Sequence, residues 1–318
     1  MNILVTGGAG YIGSHIAYQL KNNGYNVRIL DDFSTGKKSR VENFGEIIVG
    51  SLLSKSDLSQ ALKNIDCVVH LAAKKSVEES VKNPIKYVEN NLIGTINLVS
   101  AMLENSCRKI VFSSTAAVYS SKNGPLAEND ETNPKSPYGF SKLWCEKTLK
   151  DFENLGLSSV SLRYFNVGGS MNDSLGDSLG DNLIPRIFNS VAANKTIKVF
   201  GSDYSTKDGT CLRDFVHVQD LASAHLKALE YMQDKQVVDI FNVGSGVGYT
   251  VKEVIEETQK LIQPKISYEF VQRRSGDVDY SLASISKIET VMGWKPVYSL
   301  KDILKSSWSA WQSEGGSR

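Results

Sequence analysis

The sequence predicts an α/β fold, with a doubly wound parallel sheet over the first half and a smaller α/β region after it. Three observations predict it. Between Ile3 and Tyr164, short apolar runs alternate with amphipathic segments of helix length. Several of those runs are apolar at nearly every position, as a sheet covered on both faces requires. Past Tyr164 the alternation loosens and the loops lengthen.

Along the chain, strands are expected at 3–6, 27–30, 47–49, 67–71, 110–114 and 160–164, and helices at 13–23, 87–103 and 138–155. Residues 168–181, rich in Gly, Ser, Asp and Asn, read as a loop. A helix near 183–193, a strand at 197–200 and a loop over 201–210 follow. One more strand is expected at 239–243, and Gly244-Ser245-Gly246-Val247-Gly248 turns it into a helix over 251–261. That turn has the composition of a phosphate cradle, but a tight strand-to-helix connection is the preferred reading. The chain closes with a helix over 300–313 and a flexible Gly315-Gly316-Ser317. The expected division is a dinucleotide-binding domain over 1–165, rejoined by a segment near 215–245, and a substrate-binding domain over 166–318.

Composition narrows the function classes. The 318 residues are 41% hydrophobic and 22% charged, with a mean hydropathy of −0.22, as in an ordinary globular protein with room for two domains. With 36 basic and 35 acidic side chains, the formal charge of +1 carries no footprint of a nucleic-acid binder. Cys67, Cys107, Cys145 and Cys211 lie far apart without a C-x-x-C, so neither a zinc site nor a disulfide framework is expected. No apolar run approaches about 18 residues, so no membrane span is expected. The N-terminus lacks the basic start and long apolar stretch of a secretory signal, which points to the cytoplasm.

Thr6-Gly7-Gly8-Ala9-Gly10-Tyr11-Ile12-Gly13 follows a strand and opens a helix. Glycines there let backbone approach a pyrophosphate, and the helix N-terminus offers free N–H groups and a positive dipole end. The next strand ends in Asp31-Asp32, where a carboxylate accepts adenine-ribose hydroxyls and repels a 2′-phosphate. The combination predicts a Rossmann-like fold that binds NAD. Lys37, Lys38 and Arg40 argue for NADP only if they face the ribose, and they read instead as a solvated charged loop.

Tyr138 and Lys142 are spaced i, i+4, which puts both on one face of a helix. A phenol titrates near 10, and bringing it to about 7 takes roughly 4 kcal/mol of preference for phenolate. A lysine ammonium one turn away and an oxidised nicotinamide are expected to supply it. Ser113-Ser114-Thr115 ends a strand at the carboxyl edge, where parallel sheets bind ligands. His70 and His217 lie in or beside apolar strands and read as packed, hydrogen-bonded histidines.

The glycine turn, Ser114-Thr115 and Tyr138-Gly139-Phe140-Ser141-Lys142 together resemble the extended short-chain dehydrogenase/reductases. Longer stretches bring the likeness closest to the UDP-glucose 4-epimerase family, over almost the whole chain. These are Phe112 to Tyr119, Leu162-Arg163-Tyr164-Phe165-Asn166, Phe200-Gly201-Ser202-Asp203-Tyr204, Asp208 to Val218 and Arg273-Arg274-Ser275-Gly276-Asp277. The resemblance implies NAD-dependent inversion at C4 of a UDP-hexose through a transient 4-keto sugar, with Thr115, Tyr138 and Lys142 catalytic. It implies cofactor contacts at Gly7, Gly10, Tyr11, Ile12, Gly13, Asp31, Asp32, Phe33, Thr35, Gly36, Ser51, Leu52, Leu71, Ala72, Ala73, Lys75, Asn90, Ser113 and Tyr164, besides Tyr138 and Lys142. For the UDP-hexose it implies Asn166, Asn182, Leu183, Val199, Phe200, Arg213, Arg274, Asp277 and Ser281, with Lys75, Thr115 and Tyr138 shared. Two arginines suit a diphosphate, which invites bidentate guanidinium binding.

The pattern departs from the family at Ser51, where an acid usually reaches the adenine, and at Ser120, where a glycine is usual. At Ser281 the family places a tyrosine in enzymes restricted to UDP-glucose and UDP-galactose. A small residue there goes with room for a 2-acetamido group, so UDP-GlcNAc and UDP-GalNAc are expected substrates too. A 4,6-dehydratase would need an acid–base pair where this chain has Ala116-Ala117. A UDP-uronate epimerase or decarboxylase, and a non-enzymatic NAD-sensing scaffold, are the remaining alternatives. Relatives pair two long helices per subunit, which makes a homodimer the expected state.

Overall fold

A computed structural model describes residues 1–177, 182–262, 265–274 and 276–315. The end of the expected 168–181 loop and most of the expected C-terminal tail lie outside the described residues. The first half runs β1 (Asn2–Thr6), α1 (Tyr11–Asn22), β2 (Asn26–Asp31), β3 (Glu46–Val49), α2 (Lys55–Ala61), β4 (Cys67–His70), α3 (Val77–Lys82), α4 (Pro84–Tyr87), α5 (Gly94–Glu104), β5 (Lys109–Thr115), β6 (Pro125–Leu126), α6 (Pro137–Asp151) and β7 (Ser158–Tyr164). The second half runs β8 (Asn166–Gly168), α7 (Leu183–Ala192), β9 (Ile197–Phe200), β10 (Leu212–His217), α8 (Val218–Tyr231), β11 (Val238–Val243), β12 (Gly248–Thr250), α9 (Val251–Leu261), β13 (Tyr268–Val271), β14 (Tyr280–Ala283), α10 (Ser286–Met292) and α11 (Leu300–Ser313).

Seven parallel strands form the main sheet in the order β11-β7-β5-β4-β1-β2-β3. The uninterrupted apolar strands have the reason the sequence gives them, which is burial on both faces. Ile3, Val5 and Val69 pack with Ile16 and Leu20 of α1 and Leu221 of α8. Leu4, Val68 and Phe112 face the opposite way, onto Leu58 of α2, Leu98 of α5 and Leu149 of α6. Strands β2 and β3 are added on one side of β1 and β4, β5, β7 and β11 on the other, so the loops after β1 and β4 diverge and open a crevice at the carboxyl edge.

A mixed sheet, β12-β10-β14-β6 with β8 beside β10, and the pair β13-β9 lie after and around it. Ile187, Phe188, Val254 and Ile303 build a separate core under them. The helix expected over 87–103 contains a π-helical turn at Val88–Ile93 between α4 and α5, and α6 gives way at Asp151 to a short 3-10 turn ended by Gly156 at φ +80°. Among the described residues no helix is long and apolar enough to cross a membrane.

The glycine turn at 244–248 is a connection. Asp214, fully buried, accepts the N–H groups of Ser245 at 2.6 Å, Gly246 at 2.9 Å and Ala283 at 3.1 Å, so the donors a phosphate would use are taken. One expectation fails in the segment between β2 and β3. Arg40 is 6% exposed rather than solvated; it pairs with Glu314 at 3.1 Å and donates to the Gly176 carbonyl, and Glu314 also holds Lys37 at 3.3 Å.

Candidate active site

The ends of β1, β2, β4, β5 and β7 form the floor of a cleft of about 1820 Å³, and α7, β9, β10 and β14 wall its far side. That is well beyond the roughly 300–1,000 Å³ of a single small-ligand pocket, and it leaves space for two ligands end to end.

At the cofactor end, Gly7 has φ +68°, and a Cβ on it would lie 2.6 Å from the Ala72 nitrogen; one on Gly13 would lie 2.2 Å from the Gly7 carbonyl oxygen. Only glycine lets β1, α1 and the loop after β4 close this tightly, and the result is a cradle for pyrophosphate at the start of α1. Asp31 braces it, accepting from the Ala9 N–H at 2.9 Å and the Phe33 N–H at 2.8 Å. Each carboxylate oxygen keeps a second lone pair for a ribose hydroxyl. Burial pushes the Asp31 carboxyl up, while the N–H groups of Phe33 and Ala9 pull it back. These residues fit a dinucleotide.

At the reaction centre, α6 carries Tyr138 and Lys142 against the end of β5. Thr115 and Tyr138 line the cleft together, with the Thr115 hydroxyl acting to lower the phenol's pKa, and Lys142 Nζ donates to the Ser113 carbonyl at 2.7 Å while lying 4.7 Å from the Phe112 ring centre. The expected lowering of the Tyr138 pKa is not present in this pocket. Burial pushes the phenol up and the Thr115 hydroxyl only partly opposes it. Burial also drives Lys142 down to about 8, which weakens the charge meant to act on the phenol.

Behind them lies a network that pattern reading missed. Glu146, one turn beyond Lys142, accepts two bonds from Arg163 at 3.0 and 2.7 Å and one from Ser114. It ties α6, β5 and β7 together at the level of Thr115, and its charge also supports the Lys142 ammonium. The i, i+4 spacing from Lys142 was the available signal.

At the far end Arg213 Nη1 is anchored by the Leu212 and Val278 carbonyls at 2.9 and 2.8 Å, and its Nη2 stands 3.5 Å from Asp277. Arg274 lies 3.7 Å over the Phe200 ring. Asn182 precedes α7 and donates to Asp177 at 2.6 Å. Ser281 pairs with Arg213 across β14 and β10 and lines the cleft.

Of the residues singled out from sequence, all but two line this one cleft. Phe33 and Gly36 do not. Phe33, at φ +54°, turns its ring onto the core beside β1 and β2. Gly36 abuts Ala9, where a Cβ would come within 2.8 Å of the Ala9 Cβ. Ser51 does line the cleft, and its hydroxyl accepts the Leu53 N–H at 3.2 Å. His70 is occupied between Thr6 at 2.7 Å and Thr95 at 3.0 Å; His217 caps α8 through the Gln219 N–H at 3.0 Å. Ser34 and Lys74 line the cleft without having been foreseen.

Comparison with known proteins agrees with this geometry. Residues 3–244 match the NAD dependent epimerase/dehydratase family. The chain is 41% identical to a UDP-glucose 4-epimerase of Halalkalibacterium halodurans, with 99% of this chain and 96% of the relative aligned. It superimposes with a TM-score of 0.94 on the UDP-glucose-4-epimerase of Stenotrophomonas maltophila solved with NAD and formylated UDP-arabinopyranose, at 36% identity and 99% coverage of both chains. The UDP-Glc/GlcNAc 4-epimerase of Campylobacter jejuni superimposes with a TM-score of 0.84, at 38% identity and 99% coverage of both.

Proposed function

The chain belongs to the NAD dependent epimerase/dehydratase family, and we propose that it inverts C4 of UDP-hexoses, interconverting UDP-glucose and UDP-galactose through a transient 4-keto sugar. The carrying observation is that Thr115, Tyr138 and Lys142 line the same cleft as the glycine cradle and the two arginines. Residues 1–165, with β11 and α8, supply the cofactor side, and the remainder supplies the substrate side. NAD, when bound, supplies reversible hydride acceptance, which makes the inversion redox-neutral, and a positive ring charge that would favour the Tyr138 phenolate against the burial that raises it.

Tyr138 takes the proton of the sugar 4-hydroxyl and later returns it, and Thr115 holds the same oxygen in line. Lys142, fixed on the Ser113 carbonyl, keeps positive charge beside the phenolate. Arg213 and Arg274 grip the diphosphate, which leaves the keto sugar free to turn over without leaving. Purified protein given UDP-galactose and no added NAD should yield UDP-glucose. Its absence, or a product only from a UDP-uronate, overturns this reading.

The pocket also suits 2-acetamido sugars. Ser281 is small and faces the cleft, and UDP-GlcNAc therefore turns over as well. Ser281→Tyr should remove activity on acetamido sugars while sparing UDP-galactose; equal loss on both contradicts it.

The protein works as a homodimer in the cytoplasm. α4, the π-helical turn and α6 expose Ile85, Ile93, Phe140 and Trp144 at 71, 43, 47 and 53%, large apolar side chains that a second subunit would cover. The four cysteines are free and buried, as in a reducing compartment. Light scattering at the dimer mass tests the assembly, and Trp144→Glu should shift it to monomer.

A further inference from the structure

Lys74 follows β4 and is half-buried. Its backbone is fixed on both sides by Asn91, which accepts its N–H at 2.8 Å and donates to its carbonyl at 3.0 Å. Asn91 is itself 1% exposed on the π-helical turn and donates to Ser141 at 2.9 Å. The base of Lys74 is therefore rigid, and the side chain alone is free to move. Its ammonium donates to the Ser34 hydroxyl at 2.9 Å, and Ser34 belongs to the loop after β2, where its N–H is held by Asp32 at 2.9 Å.

The sheet order makes this bond informative. β4 and β2 lie on either side of β1, so a bond from the β4 loop to the β2 loop crosses above the glycine turn that follows β1. The span is two strand spacings, about 10 Å. Both residues line the cleft, and the ammonium's charge acts on Asp31 and Asp32 together. A dinucleotide held on the glycine cradle with its ribose at Asp31 would lie between the two loops that this bond joins.

We propose that Lys74 is a cofactor-binding residue that closes over the dinucleotide, holding Ser34 on the far wall while its ammonium reaches an oxygen of the cofactor's pyrophosphate or adjoining ribose. A redox-neutral reaction has no need to exchange its cofactor, and a bridge over the adenylate end slows escape. The inference rests on the dinucleotide site and not on the sugar substrate, so its test reads cofactor release instead of epimerisation.

Protein loaded with radiolabelled NAD is chased with excess unlabelled NAD, and the bound label is followed in time. Lys74→Ala should release NAD about tenfold faster, the effect of one charge-assisted hydrogen bond lost. Ser34→Ala should also speed release, and the double variant should be no faster than Lys74→Ala alone, since the two act as one bridge. Lys74→Arg, which keeps charge and reach, should retain NAD like the parent. An unchanged rate in either single variant, or effects that multiply in the double, overturns the proposal.

Discussion

Behind the reaction centre Arg163 and Glu146 form an ion pair whose side chains are 3 and 2% exposed; at the substrate end Arg273 and Asp203 form one whose side chains are 38 and 75% exposed. Both are arginine–carboxylate contacts at 2.7 Å. The first is sealed among β5, β7 and α6 and shares Glu146 with Ser114. The second ties two loops at the rim, with the Arg273 guanidinium 4.0 Å from the Tyr204 ring centre. The same bond thus does different things in the two halves. On the cofactor side polar groups are held in a dry, strand-built frame where proton positions must not wander. At the substrate rim the pair joins two loops in water, where solvent can replace either partner.

The largest test of this contrast is at the frame's working atom. Tyr138→Phe should lower kcat by roughly a thousandfold, as loss of a positioned acid–base group does, with binding of the UDP-sugar left nearly intact. Isothermal titration of UDP alongside kinetics separates the two. A comparable loss in binding would mean that the halves are not divided in this way.

Glu146→Leu is next. It leaves the Arg163 charge buried without its carboxylate, which should cost roughly 3 kcal/mol or more in folding stability by denaturant melts. It also frees the Ser114 hydroxyl and loosens β5 from α6, so residual activity should fall below what the stability loss alone explains.

Lys142 gives a smaller effect of definite sign. Burial lowers it from 10.5 to about 8 in the folded protein, so between those values the unfolded chain holds a proton that the folded one has released. Stability from this group is therefore present above about 10.5 and is lost as pH falls through 8. In cofactor-free protein, unfolding free energy should climb from pH 8 to 10.5 relative to Lys142→Met, in which the trend is missing. A flat difference between the two would show that the ammonium is solvated.

The frame was legible in the sequence because burial writes itself into side-chain type. Ile3 to Val5 and Cys67 to Val69 are apolar on both faces, and they place the glycine turn and the crevice without help. Tyr138 and Lys142 share a face by helical period alone. The substrate side follows no such period. Arg213 and Ser281 meet because β10 pairs with β14, nearly seventy residues later, and only likeness to a family brought them together. Glu146 was passed over because a charge on a helix usually faces water. Arg40 was misread for the same reason, since its partner Glu314 comes from the other end of the chain. Phe33 and Gly36 sit in the right segment, but backbone geometry turns one to the core and packs the other under Ala9.

The rim pair supplies the smallest effect and the sharpest control. Arg273 reaches both the carboxylate and the carbonyl of Asp203, each from its own nitrogen, and also stands 3.8 Å from Asp279. Removing one of several partners in water leaves the guanidinium solvated, so Asp203→Ala should produce no measurable change in melting temperature. The carbonyl contact and the Tyr204 stacking survive the substitution, and they keep residue 274 directed into the cleft. KM for the UDP-sugar should therefore change little as well. Were Asp203→Ala instead to destabilise the protein as Glu146→Leu does, the rim would be part of the dry frame, and burial would not be what separates the two ends of the cleft.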